Sequence, residues 1–319
     1  MVEEKEAQYY SKDFQWEELR EEVERDPSLR HHLAPFPSSS PHPSNVDAWR
    51  RFHQRHSTGR FFKERRYLLK EFPELVYCDD FTNLLEVGCG NGSTVLPILR
   101  AKQNILVHAC DCSEEVLEKA KEILATANVR SHEHRFHPFL LDFSVSGFPN
   151  WLFCASCQKT SLAKPLNLPS DFKENESTRL NDLSFLREDR CCIGGVDFIT
   201  LIFTLSAVPF QKMSFVADNC FSVLKPGGLL FFRDYGLYDM TMLRFLPEQR
   251  MGCNEYMRSD GTLSYFFSLD TVKDLFLGAG FIELELEYCC VRSVNRRNGK
   301  KMQRVWVHGK FQKPIPTSF

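Results

Sequence analysis

The run Leu84-Leu85-Glu86-Val87-Gly88-Cys89-Gly90-Asn91-Gly92 constrains this chain more than any other. Apolar residues 83–87 predict a buried strand, three glycines follow at alternate positions, and residues 93–101 open a helix. Such a turn lets backbone amides approach a ligand at a helix N-terminus. It also needs neighbouring strands, and the chain supplies them in alternation with helices. Strands are predicted at 105–110, 136–142, 196–205 and 229–234, and helices at 113–124, 213–224 and 269–279, with Ser113 and Ser268 as caps. The Lys225-Pro226-Gly227-Gly228 segment reads as a turn. Residues 281–292 and 303–311 close the chain as a hairpin around Asn298-Gly299. The implied fold is α/β: a Rossmann-like, mainly parallel seven-stranded sheet with helices on both faces and a C-terminal antiparallel hairpin.

Glycine spacing sorts the ligand class. A dinucleotide site wants Gly-x-Gly-x-x-Gly around a pyrophosphate, whereas here the third glycine comes one residue early. An acid preceding Gly-x-Gly-x-Gly is the pattern of S-adenosylmethionine-dependent methyltransferases, whose cofactor carries an amino-acid tail and no phosphate. A nicotinamide enzyme is the competing reading. Glu86, Gly88, Gly90 and Gly92 are therefore candidate cofactor residues. Asp111 ends the second strand, where a carboxylate can accept both ribose hydroxyls, and Asp142 ends the third, where it or neighbouring amides can hold an adenine amino group.

Charge is distributed unevenly although the net formal charge is only −2. Residues 1–30 hold ten acids against five bases, and Phe14, Trp16, Leu19 and Val23 predict an amphipathic helix from Asp13, a candidate N-cap, to Pro27. Residues 34–45 are a Pro- and Ser-rich linker. Residues 50–70 reverse the sign, with eight Lys or Arg against one acid and aromatics interleaved. That mixture suits RNA contact through Arg60, Phe61, Lys63, Arg65 and Arg66. An amphipathic helix with a merely solvated basic face fits it too. Arg296, Arg297, Lys300 and Lys301 at the hairpin tip are either an RNA clamp or solubilising charge. The organisation expected is an acidic helix and linker (1–45), a basic and aromatic extension (46–82) and a catalytic domain (83–319), interrupted by a polar insertion at 144–195. The insertion reads as a surface excursion whose removal the sheet would tolerate.

No run of eighteen apolar residues exists, which excludes a transmembrane helix, and the acidic start fits neither a signal nor a transit peptide. Twelve cysteines without an export signal read as reduced thiols in the cytoplasm, or also in the nucleus. Cys154-Ala155-Ser156-Cys157 with Cys191-Cys192 invites a zinc reading. Adjacent cysteines are poorly placed as two ligands, so free thiols and no metal are expected.

Longer segments carry a family resemblance. They include Arg60-Phe61-Phe62-Lys63-Glu64-Arg65, Glu71-Phe72-Pro73-Glu74-Leu75, Phe232-Arg233-Asp234-Tyr235-Gly236-Leu237-Tyr238-Asp239, Arg258-Ser259-Asp260-Gly261-Thr262 and Arg304-Val305-Trp306-Val307-His308-Gly309-Lys310-Phe311. In these the chain resembles the tRNA 3-methylcytidine methyltransferases, class I enzymes of the methyltransferase-like group, from about residue 46 to the end outside the insertion. The resemblance implies S-adenosyl-L-methionine as cofactor and tRNA as substrate, with the anticodon loop as target. It leaves room for an aminoacyl-tRNA synthetase or another protein in tRNA selection. It also implies cofactor contacts at Trp49, His53, Gly88, Asp111, Asp142, Phe143 and Ile202. His53 stands where the family commonly has Tyr, and Phe143 where it commonly has Leu.

Cytidine N3 carries a lone pair at neutral pH, so methylation needs no strong base, but it leaves a cationic ring. A carboxylate near the ring would stabilise the transition state selectively. Asp234 is the first candidate and Asp239 the second, with Tyr235 or Tyr238 stacking on the base and Arg233 among the RNA-binding cations. Asp234 could equally cap the turn after it. Two other readings stay open: a methyltransferase acting on protein or a small molecule, and a catalytically silent cofactor- and RNA-binding adaptor.

Overall fold

The structure, a computed structural model, describes residues 12–36, 46–55, 63–127, 129, 132–154, 191–294, 299 and 301–316. Its strands are β1 (Asn83–Val87), β2 (Leu106–Asp111), β3 (Phe136–Leu140), β4 (Val196–Ile202), β5 (Leu224–Tyr235), β6 (Glu255–Met257), β7 (Leu263–Tyr265), β8 (Ile282–Val294) and β9 (Lys301–Gln312). The longer helices are α1 (Trp16–Arg25), α2 (Val46–Arg55), α3 (Val95–Ala101), α4 (Glu114–Thr126), α5 (Phe210–Val223) and α6 (Leu269–Gly278).

Apolar alternation along β1 explains its central place. Leu85 and Val87 enter one core with residues of α5 and α6, while Leu84 enters the other with residues of α3 and α4. All three leucine and valine side chains are fully buried, each contributing about 1.5–3 kcal/mol. The sheet order is β3-β2-β1-β4-β5-β9-β8. The first five strands run parallel, and β9 pairs antiparallel between β5 and β8. Strand order reverses between β1 and β4, which opens a crevice at their carboxyl ends. Among the described residues no helix is long and apolar enough to cross a membrane.

Several elements differ from expectation. β4 stops at Ile202 because Phe203 turns into the left-handed region (φ +55°) ahead of a short 3-10 turn, Leu205–Ala207. The predicted turn at residues 225–228 is an irregularity inside β5: Val196 pairs with Leu224, but Phe198 pairs with Leu229. β6 and β7 form an unpredicted hairpin. Its turn is the 258–262 motif, where Gly261 adopts φ +86° and Asp260 Oδ1 accepts from the Thr262 amide (3.0 Å) and hydroxyl (2.7 Å).

The N-terminal helix is docked. Phe14, Leu19 and Val23 are buried with Tyr238, Met242 and Tyr256, and Trp16 stacks on Tyr288 at 4.7 Å and Tyr238 at 5.6 Å. Asp13 does not cap α1, since Gln15 holds that position. Instead Asp13 N–H donates to Cys290 O (2.8 Å) and its Oδ2 accepts from Arg292 N–H (2.7 Å), along the outer edge of β8.

The insertion is partly core. Leu152 is fully buried in the cluster beside α5 and α6, and Phe148, Phe153 and Ile193 pack against that cluster. Ile193 N–H donates to Trp151 O (2.8 Å) and Gly195 N–H to Leu152 O (2.8 Å), joining its two stems. Removing all of 144–195 would therefore open the core, contrary to expectation. Residues 155–190 lie outside the described residues.

Candidate active site

A cavity of about 350 Å³ lies at the carboxyl ends of the parallel strands. One end is built on the glycine turn. Gly88, at φ +68°, passes so close to Thr204 that a Cβ would sit 2.5 Å from its methyl group. Gly90, at φ +53°, lines the cavity, and a Cβ there would meet nothing within 4 Å. Asp111, at the tip of β2, accepts from Gly90 N–H through Oδ2 (3.0 Å) and from Ser113 N–H through Oδ1 (3.2 Å). His53 Nε2 stands 3.8 Å from Oδ1. Asp142 accepts from the Ser144 amide (3.0 Å) and hydroxyl (2.7 Å), which turns the chain and brings Phe143 onto the wall. Trp49, Phe52 and His53 form one side of α2 and line this end, and the buried Trp49 Nε1 has no hydrogen-bond partner among the described residues. Ile202, at the end of β4, completes the wall.

The other end is aromatic and cationic. The left-handed backbone of Phe203 is held by its N–H donating to Arg233 O (2.7 Å), and its ring lies 5.1 Å from Tyr235 and 6.5 Å from Trp306. Arg65 reaches Thr94 Oγ1 (3.1 Å) and Ile202 O (3.2 Å) and stacks over Phe203 at 5.3 Å. Arg304 lies 5.1 Å over Trp306 while its Nε donates to Asp239 Oδ2 (2.8 Å). Arg258 and Lys212 also line this end. Rings beside cations suit a nucleotide, which offers a π face and a phosphate together.

Residues 53–285 match a family described as Methyltransferase domain. The chain is 34% identical over 301 residues to the Homo sapiens tRNA N(3)-cytidine methyltransferase METTL6, covering 93% of this chain and 89% of that one. The chain belongs to the tRNA N(3)-cytidine methyltransferase family. It is 32% identical over 312 residues to the Drosophila melanogaster tRNA N(3)-methylcytidine methyltransferase Mettl2, covering 94% and 82% of the two chains. A solved SAM-dependent methyltransferase from Anabaena variabilis shares the fold, with TM-score 0.55, 14% identity and coverage of 88% of this chain and 100% of that one.

The glycine-turn end fits S-adenosyl-L-methionine, the methyl donor of this family. Asp111 lines the cavity with its carboxylate anchored by two backbone N–H groups, Gly90 leaves room for a ligand, and Trp49 offers an indole N–H without a partner among the described residues. Two predicted cofactor residues lie elsewhere. Gly92 does not line the cavity; a Cβ there would make only ordinary contact with Ala120 at 3.5 Å, and it is the left-handed backbone of the turn, φ +82°, that favours glycine. Glu86 is fully buried in β1, accepts from Thr200 Oγ1, and is pushed up by burial to about 7.

The predicted catalytic acids also need correcting. Asp234 is fully buried and does not line the cavity, because its oxygens accept from Ser206 N–H and Tyr235 N–H, each at 2.9 Å. Burial pushes it up to about 6, against those two donors. It positions Ser206 and Tyr235, which do line the cavity. Asp239 is likewise buried, accepting from the Thr241 amide and hydroxyl, Arg304 Nε and Val305 N–H. Tyr235 is on the wall, while Tyr238 is covered by Trp16.

The predicted RNA-binding cations divide too. Arg233 is fully buried and cannot meet RNA: it is ion-paired to Glu71 and lies between the Tyr67 ring (5.0 Å) and the Trp306 ring (4.7 Å). Arg65 is part of the cavity wall, whereas Lys63 and Arg66 are both exposed outside it and Arg66 pairs with Glu64 at 3.1 Å. Arg60, Phe61, Arg296, Arg297 and Lys300 lie outside the described residues, and Lys301 opens β9. Sequence reasoning missed Phe203 and Trp306 as site residues, and it placed Arg304 only among the basic residues of the closing hairpin. The alternation of Arg304, Trp306 and His308 along a strand was the available signal for the last two.

Proposed function

We propose that this chain methylates N3 of cytidine in tRNA, within the anticodon loop. One continuous cavity, running from Asp111 to the rings of Phe203, Tyr235 and Trp306, supports this most directly. When bound, S-adenosyl-L-methionine supplies an electrophilic methyl group. Asp111 would accept ribose hydroxyls, and Trp49 and Phe143 would flank the adenosyl group. Cytidine N3 carries its own lone pair, so no residue of this chain needs to remove a proton. The base becomes cationic as the bond forms, and aromatic faces attract that cation more than the neutral base. Arg65, Arg258 and Arg304 serve the backbone phosphates. N3 lies on the Watson–Crick edge, so the target must be unpaired or flipped.

Nucleoside mass spectrometry of tRNA incubated with the pure protein and methyl-labelled cofactor tests this. Labelled 3-methylcytidine, mapped by nuclease fragments to the anticodon loop, is expected from wild type and lost with Trp306→Ala. Cofactor binding without label in RNA, also after adding an aminoacyl-tRNA synthetase, would instead make the chain a silent adaptor.

A further inference from the structure

Cys154 stands at the end of one stem of the insertion, and Cys191 and Cys192 at the start of the other. Their three sulfur atoms lie within 4.8 Å of one another, with Cys154 and Cys191 Sγ 3.1 Å apart. We propose that these three thiols hold a zinc ion that clasps the neck of the insertion.

Zinc–thiolate bonds of roughly 2.3 Å in tetrahedral geometry set sulfurs roughly 3.8 Å apart, a spacing that three sulfurs already within 4.8 Å of one another reach with small shifts. Adjacent cysteines on an extended strand would point to opposite faces. Here the backbone bends through residues 191–192, so both sulfurs turn toward Cys154. The chain just beyond it is closely packed: Gly194 and Gly195 both adopt positive φ, and a Cβ on Gly195 would sit 2.8 Å from Val223 O. The opposite stem is equally fixed, since Leu152 is fully buried and accepts from Gly195 N–H. The sulfurs are thus brought together by packed backbone. Cys192 is buried, Cys154 half-buried and Cys191 exposed, which protects an ion yet leaves a path to it. Among the described residues no other group of His, Cys, Asp or Glu converges this way. Soft thiolates favour zinc over calcium or magnesium. Three thiols lose their protons on binding, and the fourth tetrahedral position is left to a ligand outside the trio.

The test uses the full chain, purified under reducing conditions without chelator. Plasma mass spectrometry should find about one zinc per chain. After dialysis against a mild chelator the metal should stay in wild type and in Cys253→Ser, an exposed thiol elsewhere, but leave Cys154→Ser and Cys192→Ser. Cobalt exchanged into wild type should show thiolate-to-metal charge transfer, a readout that requires no variant to fold. Zinc no higher in wild type than in the triple Cys→Ser variant, or bound cobalt without the thiolate band, would overturn the proposal. So would recovery of Cys154 and Cys191 as a disulfide from the reduced preparation.

Discussion

At Asp111 each carboxylate oxygen accepts one backbone N–H, which fixes the group on the cavity wall with acceptor capacity left for a ligand. Asp111→Ala should weaken S-adenosylmethionine binding by about 1.5–3 kcal/mol, measured by titration calorimetry. An unchanged affinity would remove Asp111 from the ribose site. At Asp234 the same two-oxygen pattern is buried behind the wall, so the residue acts through Ser206 and Tyr235. Asp234→Asn offers an amide nitrogen where one backbone N–H needs an acceptor, which should destabilise the fold by about 1–3 kcal/mol. Turnover per folded molecule should fall by less than about tenfold, well short of the loss expected from removing a preorganised charge at the reacting atoms. Single-turnover rate and melting temperature on one preparation distinguish the two roles, and a hundredfold rate loss with normal melting would restore Asp234 to the chemistry.

Helix α2 presents two faces with different tasks. Trp49, Phe52 and His53 line the cavity, while Arg50, Arg51 and Arg55 are exposed on the outside. If that outer face tracks an RNA backbone, replacing all three arginines by Gln should lower the salt dependence of tRNA binding by about two to three units of slope. Cofactor affinity should stay near wild type; an unchanged slope would make the face ordinary solvated surface. Such local elements were legible in the sequence. The glycine turn, the strand-end acids and the closing hairpin each declare themselves within a dozen residues, through period and turn chemistry. Partners far apart in the chain were not legible. Arg233 reads as one more cation, and only folding brings Glu71 to it across 162 residues. The pairing of Asp239 with Arg304 is equally remote. The family-specific segments around Glu71, Arg233 and His308 thus meet in one buried ionic cluster, in which Glu71 also receives His308 Nδ1 at 3.0 Å.

The whole molecule carries buried acids that should show in its pH dependence. Glu86 and Asp234 sit at about 7 and about 6, both above their ordinary values through burial. The folded state therefore holds these protons more tightly than the unfolded chain. Their contribution is complete below the ordinary carboxylate range and is lost as pH rises through about 6 and then about 7. Glu86→Gln should flatten that decline, adding at most about 3 kcal/mol near pH 8. Melting temperatures recorded from pH 5 to 8 for both proteins check it, and parallel curves would show that Glu86 does not titrate there. The docking of residues 13–25 has a different consequence. β8 is the last strand of the sheet, and the chain before α1 occupies part of its rim, where Asp13 bonds Cys290 and Arg292. Farther along, Glu283, Glu285 and Glu287 alternate with exposed Leu284 and half-buried Leu286, a charged border that discourages pairing. A version beginning after residue 33 would bare the rim at Cys290 and the rings of Tyr238 and Tyr288 together. Sedimentation should then show concentration-dependent self-association, reversed by adding the missing peptide: the N-terminal helix acts as a built-in solubility guard.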